Sequence, residues 1–351
     1  MISRLERLRS KLNKRGVDSI LLSHPANISY LTDFPTQDSY LLANKNKCLL
    51  ITDSRYSSEY RHCLKTKAIE VLETSKKLPQ TLKIIDEKLQ IKSLAFEQEH
   101  LSFFLYQKLK SSFGKRLTPT KEVIESMRII KDAAEIKLIK KALSITLDAL
   151  KFTKKILKPG IKELELAAEI ERYIRLKGAT NTSFDIIVAS GPHSALPHAR
   201  KTQRKIRNNE PVLIDMGVEY KGYKSDLTRV FFLGKMDTLF RKVYSIVQTA
   251  QQKARDSIRP GVSIEYIDRV ARQHITKKGF GKFFKHSLGH GIGLETHELP
   301  KISSKNKNKL RPGMLFTLEP GIYLDNKFGV RIEDMVLVTK KGKEILSGSA
   351  N

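Results

Sequence analysis

Four carboxylates stand where a carboxylate is costly. Asp215 lies in Val-Leu-Ile-Asp-Met-Gly, Glu319 in Leu-Phe-Thr-Leu-Glu-Pro-Gly, and Glu333 in Val-Arg-Ile-Glu-Asp-Met-Val; Asp226 falls in the strand-like stretch that follows Asp215. An acidic group buried in an apolar strand needs compensation. For one such residue, a salt bridge to a nearby lysine or arginine would suffice. For the whole group, a pair of divalent cations neutralises every charge at once. Carboxylates bridging two ions about 3.5–4 Å apart make a hydrolytic site of the two-metal type. A nitrogen ligand is on offer in His286-Ser-Leu-Gly-His290-Gly-Ile-Gly-Leu-Glu-Thr-His297-Glu. Its glycines at 289, 291 and 293 permit close backbone approach. The segment is no phosphate loop, because it lacks the Gly-Lys-Ser/Thr ending. His198 stands apart, in Ala-Leu-Pro-His-Ala. His24, His62, His100 and His274 have no comparable setting and read as ordinary residues, and His193 is ambiguous.

Two hairpins must position these groups. The first runs Val212–Tyr220, turns at Lys221–Gly222 and returns through Tyr223–Leu233. Asp215 and Asp226 are nearly equidistant from that turn, which predicts that they sit roughly opposite each other. The second runs Met314–Leu324, turns around Asp325–Gly329 and returns through Val330–Val338. Glu319 and Glu333 are likewise nearly equidistant from its turn. Phe184–Ala189 reads as a further strand. Upstream, the periodicity predicts a helix over Met127–Lys141 and helices onward to about Lys177, punctuated by Pro159–Gly160.

The first third of the chain alternates apolar runs with helical patterns, as an α/β domain does. Ser19–Leu22 and Cys48–Thr52 read as strands, Leu78–Leu89 and Leu101–Leu109 as helices. Leu5, Leu8 and Leu12 make the N-terminal stretch an amphipathic helix stopped at Gly16, without the apolar run of a signal peptide. The expected division is residues 1–124 and 125–351, two domains in a chain of 351 residues. There is no run of apolar residues long enough to span a membrane. Two cysteines, Cys48 and Cys63, suggest no disulfide framework, which with the N-terminus points to the cytoplasm. The net charge of +28 is carried by basic residues scattered along the chain, not interleaved with stacking aromatics. A solvated basic surface is expected, with no specific nucleic-acid partner.

The chain resembles the pita-bread metallopeptidases: aminopeptidase P, prolidase and the related creatinase group. The resemblance is carried by Ser190-Gly-Pro-His-Ser-Ala-Leu-Pro-His198, Leu213-Ile-Asp-Met-Gly217, Ser225-Asp-Leu-Thr-Arg229, Gly289–Glu298, Leu318-Glu-Pro-Gly-Ile-Tyr323 and Val330-Arg-Ile-Glu-Asp334. More weakly, Asn27–Asp33 and Ile51–Tyr56 are similar to the family's smaller domain. The implied fold is α+β: a pita-bread catalytic domain, with a curved and mainly antiparallel sheet flanked by helices, behind a smaller N-terminal α/β creatinase-like domain. The implied metal ligands are Asp215, Asp226, His290, Glu319 and Glu333, with Asp226 and Glu333 bridging two divalent ions. Mn²⁺ is preferred, and Co²⁺ or Zn²⁺ also suit such a donor set. Glu319, His198 and His297 are the implied catalytic residues, for proton transfer, the leaving side and the tetrahedral intermediate respectively. His286, Arg331 and Tyr323 are implied to orient substrate or ligands.

The implied activity is release of the N-terminal residue from peptides with proline in second position. An Xaa-Pro dipeptidase is the alternative, and a non-catalytic peptide- or nucleic-acid-binding homologue a remote one. The family also implies a homodimer. Three residues depart from its pattern: His193 in place of Asn, Gln203 in place of Asp, and Thr296 in place of Val. None is a ligand position, and the first two put the substrate rim in question.

Overall fold

The computed structural model describes residues 3–64 and 66–348. Met1, where the N-terminal domain was expected to begin, and Asn351, where the second was expected to end, lie outside the described residues. The chain forms two compact units, Met1–Arg128 and Ile129–Asn351.

The first unit is an α/β layer. Its elements are α1 (Arg4–Lys14), β1 (Ser19–Leu22), α2 (Pro25–Thr32), β2 (Tyr40–Asn44), β3 (Cys48–Thr52) and α3 (Ser54–Cys63). Then come β4 (Glu70–Glu73), α4 (Leu78–Leu89), β5 (Leu94–Glu97), α5 (Phe103–Phe113), β6 (Leu117–Thr120) and α6 (Glu125–Arg128). One mixed sheet, in the order β4-β3-β2-β1-β5-β6, carries the unit. Leu21, Leu42, Ile51, Leu94 and Phe96 from its strands pack against Leu82 and Leu109 from the helices. A capping box at Ser3 and Glu6 starts α1, and its Leu5, Leu8 and Leu12 are buried as the periodicity required. Helix α5 begins two residues later than expected, because Ser102 caps it. Both cysteines are free.

The second unit opens with α7 (Ala133–Ile156) and α8 (Glu163–Leu176). The expected helix start near Met127 is corrected: Asp132 caps α7 and Glu135 closes the capping box, so the preceding residues stay outside it. The strands β7 (Asn181–Thr182), β8 (Ile187–Ser190), β9 (Glu210–Met216), β10 (Val218–Tyr220), β11 (Tyr223–Lys224) and β12 (Leu227–Leu233) follow. Helices α9 (Thr238–Ser257) and α10 (Ile264–Lys277) intervene. The chain ends with β13 (Gly289–Gly291), β14 (Glu298–Ile302), β15 (Leu315–Leu318), β16 (Gly321–Leu324), β17 (Phe328–Arg331), β18 (Asp334–Val338) and β19 (Lys343–Ile345). Every strand pairing described in this unit is antiparallel. A mixed-sheet α/β unit and a second unit of antiparallel sheets flanked by helices give the α+β organisation expected from the sequence.

Alternation along the strands decides which way the carboxylates face. On β9, Val212, Ile214 and Met216 join the core made by Ala142, Ala149, Leu166 and Ile170 of α7 and α8. Asp215, between them, must point to the opposite face. On β15 and β18, Phe316, Leu318, Val336 and Val338 pack with Val243, Val247, Ala250 and Ile267 of α9 and α10. Glu319 and Glu333 continue the alternate face, away from those helices. Two helix pairs thus cover one face of each hairpin, and the acids lie on the other, where Leu315, Met335 and Leu337 also pack against Ile139 and Leu143 of α7.

Candidate active site

Three of the four carboxylates occupy interruptions in the strands. Asp226 sits between β11 and β12, Glu319 between β15 and β16, and Glu333 between β17 and β18. In the second hairpin, Leu318 pairs with Asp334 and Gly321 with Arg331, so a single register runs through both strand pairs. That register places Glu319 opposite Glu333, as expected. Their backbone N–H groups leave the ladder: Glu319 donates to Leu288 at 2.8 Å and Glu333 to Thr228 at 3.2 Å. The first hairpin turns at Lys221–Gly222, with Tyr220 paired to Tyr223 and both turn residues at positive φ. Asp215 there pairs with Thr228, not Asp226. The two aspartates are diagonal neighbours on one face, because the turn lies closer to Asp226.

The glycines around His290 are required by close approach. A Cβ on Gly289 would run into the Thr317 carbonyl oxygen, and one on Gly291 into that of Leu299. The imidazole that this tight strand presents faces the acids: Nε2 is 3.4 Å from Glu319 Oε1 and 3.6 Å from Asp226 Oδ2. His290 Nδ1 lies 3.1 Å from the Gly291 carbonyl, an arrangement that assigns the ring proton to Nδ1. Burial, followed by neighbouring His297, lowers its pKa to about 4. A bare Nε2 lone pair therefore confronts two carboxylate oxygens, which is repulsive unless a cation lies between them.

The remaining acids make the same demand. Asp215 Oδ1, Asp226 Oδ1 and Glu333 Oε1 are buried without a protein hydrogen-bond partner. Burial pushes Glu333 up to about 8, reinforced by Asp215. Asp226 and Glu319 are raised well above the carboxylate range, first by burial and then by Glu333. Arg331 is a buried guanidinium among them, and Arg229, which also acts on Glu333, is already paired with Asp334. Asp226, His290 and Glu333 already bring donor atoms within 4.8 Å of one another, close enough to hold a metal ion. Oxygen donors with one imidazole suit a hard or borderline divalent ion.

Arg331 organises the surrounding polar groups. It donates to Asp215 Oδ2 at 2.6 Å, to the Tyr323 hydroxyl at 2.8 Å, to the Pro197 carbonyl at 3.0 Å and to Thr228 Oγ1 at 3.1 Å. Thr228 donates in turn to Glu333 Oε2 at 2.8 Å. Tyr323 also meets His286 Nε2 at 3.1 Å, while His286 Nδ1 faces the Ser287 carbonyl at 2.8 Å. Burial lowers His286 to about 4, which keeps that ring neutral. His297 stacks edge-on against His290, with centroids 4.2 Å apart. Its pKa is lowered, first by desolvation and then by His198. His198 is exposed and directly follows Pro197, whose carbonyl Arg331 holds.

The structure brings Asp215, Asp226, Glu319, Glu333, His286, His290, His297, Tyr323 and Arg331 together, and leaves His198 exposed next to the Pro197 carbonyl that Arg331 holds. Thr228 was not singled out, although its position two residues beyond Asp226 on an alternating strand was the available signal. His193 turns to Glu163, with Nδ1 2.9 Å from Oε2. Gln203 is exposed, and Thr296 donates to the Ser183 carbonyl at 2.9 Å.

Comparison with known proteins places this geometry. Residues 137–340 match Metallopeptidase family M24, and residues 4–130 match the Creatinase/Prolidase N-terminal domain. The chain is 36% identical to an Xaa-Pro dipeptidase of Pyrococcus horikoshii, over 99% of this chain and 97% of the relative. An Xaa-Pro dipeptidase from Bacillus anthracis superposes with a TM-score of 0.94 at 37% identity, covering 98% of this chain and 97% of the other. An X-Pro aminopeptidase from Thermotoga maritima gives 0.88 at 38% identity, covering 96% and 97%. The chain is a peptidase and belongs to metallopeptidase family M24.

Proposed function

We propose that the enzyme is a dinuclear-metal Xaa-Pro aminopeptidase that releases an N-terminal residue preceding proline, acting as a cytoplasmic homodimer. The observation that carries the metal reading is the unpartnered, buried oxygen on each of Asp215, Asp226 and Glu333, with donor atoms of Asp226, His290 and Glu333 within 4.8 Å of one another. In this proposal Asp215, Asp226, His290, Glu319 and Glu333 would together hold two divalent ions, with Mn²⁺ as the native metal. Bound divalent ions would supply Lewis acidity, which lowers the pKa of a water and polarises the scissile carbonyl.

The chain's own residues divide the remaining work. Glu319 takes a proton from the attacking water. His297, neutral at pH 7, donates a hydrogen bond to the oxyanion that develops on the carbonyl. His198 returns a proton to the proline nitrogen as the C–N bond breaks, and its exposure lets it re-equilibrate with solvent. Arg331, Tyr323 and His286 hold Asp215 and the Pro197 segment in place. The bond before proline is a tertiary amide without an N–H, so a site suited to it cannot rely on that donor.

The dipeptidase reading draws support from the names of the Pyrococcus and Bacillus relatives. The aminopeptidase reading draws support from the Thermotoga neighbour and from the exposure of Leu196, His198 and Arg200 on the leaving side. Initial rates on Gly-Pro, Gly-Pro-Gly and a longer Xaa-Pro peptide in Mn²⁺ separate them. Turnover of the longer peptides supports the aminopeptidase, and turnover of Gly-Pro alone makes the enzyme a dipeptidase.

A further inference from the structure

Pro320 creates a gap in the hydrogen-bonding ladder at the most sensitive point of the site. The Ile332 N–H donates to the Pro320 carbonyl at 3.4 Å, and the shared register makes these two residues partners. An antiparallel pair of this kind normally exchanges two hydrogen bonds. Proline has no N–H, so it cannot return the second one to the Ile332 carbonyl. The residues adjoining this defect are Glu319 on one strand and Glu333 on the other.

The missing donor comes from a helix. Gln251 lies on the apolar face of α9, only 3% exposed, between buried Val247 and Ala254. Its Nε2 is 2.9 Å from the Ile332 carbonyl and 3.2 Å from the Leu318 carbonyl. One amide nitrogen carries two hydrogens and can serve both acceptors at once. Those carbonyls belong to the residues immediately before Glu333 and Glu319. We infer that Gln251 is a positioning residue for the metal centre, a clamp that fixes the spacing of Glu319 and Glu333 across the break Pro320 makes. A buried donor used only to satisfy one carbonyl would not need to span both strands. The inference rests on the proposal that Glu319 and Glu333 hold metal.

Gln251→Leu removes both donors at similar volume. Gln251→Asn keeps the amide but is one methylene short of reaching both carbonyls. Val247→Ala, one turn away in the same core, serves as a packing control. Metal-depleted proteins are titrated with Co²⁺ by calorimetry, the visible spectrum of the Co²⁺ form is recorded, and melting is measured in chelator. The expected result is Co²⁺ binding weakened about 10–100-fold in Gln251→Leu, as for other groups that orient metal ligands, with a shifted spectrum. Gln251→Asn should also bind more weakly, and it decides the question if the leucine variant does not fold. Val247→Ala should melt earlier with Co²⁺ affinity and spectrum unchanged. Unchanged affinity and spectrum in a folded Gln251 variant would overturn the clamp while leaving the metal reading intact. A wild-type protein that takes up no Co²⁺ would overturn both.

Discussion

Arg331 Nη2 lies 2.6 Å from Asp215 Oδ2, while the other oxygen of Asp215 has no protein partner. One half of the carboxylate is held by the protein, and the other is the half that the proposed metal site would use. The same guanidinium reaches Thr228, Tyr323 and the Pro197 carbonyl, so it ties the acid face to the segment bearing His198. Arg331→Met should lower kcat/KM about 10–100-fold through misplaced ligands. Arg331→Lys should rescue little, because an ammonium cannot reproduce a planar fork of four contacts. Steady-state kinetics on both variants checks this.

Stability without metal should fall as pH rises from about 6.5 to 8.5. Glu333, Asp226 and Glu319 have raised pKa values in the folded state, so the folded protein binds more protons than the unfolded chain. Their stabilising contribution is complete below the unfolded carboxylate pKa and is lost as pH climbs through the folded values, about 8 for Glu333. His286 and His290 act oppositely, being lowered to about 4, but their effect is confined below the unfolded histidine pKa. Thermal melting in chelator across this window tests the sign, and added Mn²⁺ should restore stability most at the alkaline end. Melting that improves with pH in chelator would contradict the repulsive acid cluster.

Glu319→Gln preserves shape and removes the proposed proton acceptor. A loss of about 10²–10⁴-fold in kcat is expected, the span of general acid–base catalysis, with a much smaller change in KM.

His297→Ala should cost about 10²–10³-fold in kcat if the ring meets the developing oxyanion. His198→Ala should slow turnover while leaving melting within about 0.5 kcal/mol of wild type, because the side chain is exposed. Kinetics and melting on the same preparations separate the two roles.

The sequence disclosed this site because burying an acid is expensive and so leaves a local trace. Asp215, Glu319 and Glu333 stand out inside apolar runs, and alternation alone points them away from Phe316, Leu318 and Ile214. The register of Glu319 and Glu333 was legible for the same reason, since the hairpin keeps one count from Leu318 to Gly321. The offset of Asp226 from Asp215 was not, because it depends on where a two-residue turn closes. The start of α7 was missed through reading periodicity alone, although the capping box at Asp132 and Glu135 was present. Gln251 left no trace. A glutamine within an amphipathic helix signals nothing until the carbonyls it meets, contributed by two distant strands, are known.

The most direct test of the account measures bound metal and Gly-Pro-Gly hydrolysis on the same samples of wild type and Asp226→Ala. The account predicts two Mn²⁺ per chain in the wild type, activity abolished by chelator and restored by Mn²⁺, and loss of both metal and turnover in the variant. Hydrolysis that persists in chelator, or an Asp226→Ala protein that keeps its full metal content and activity, would contradict it.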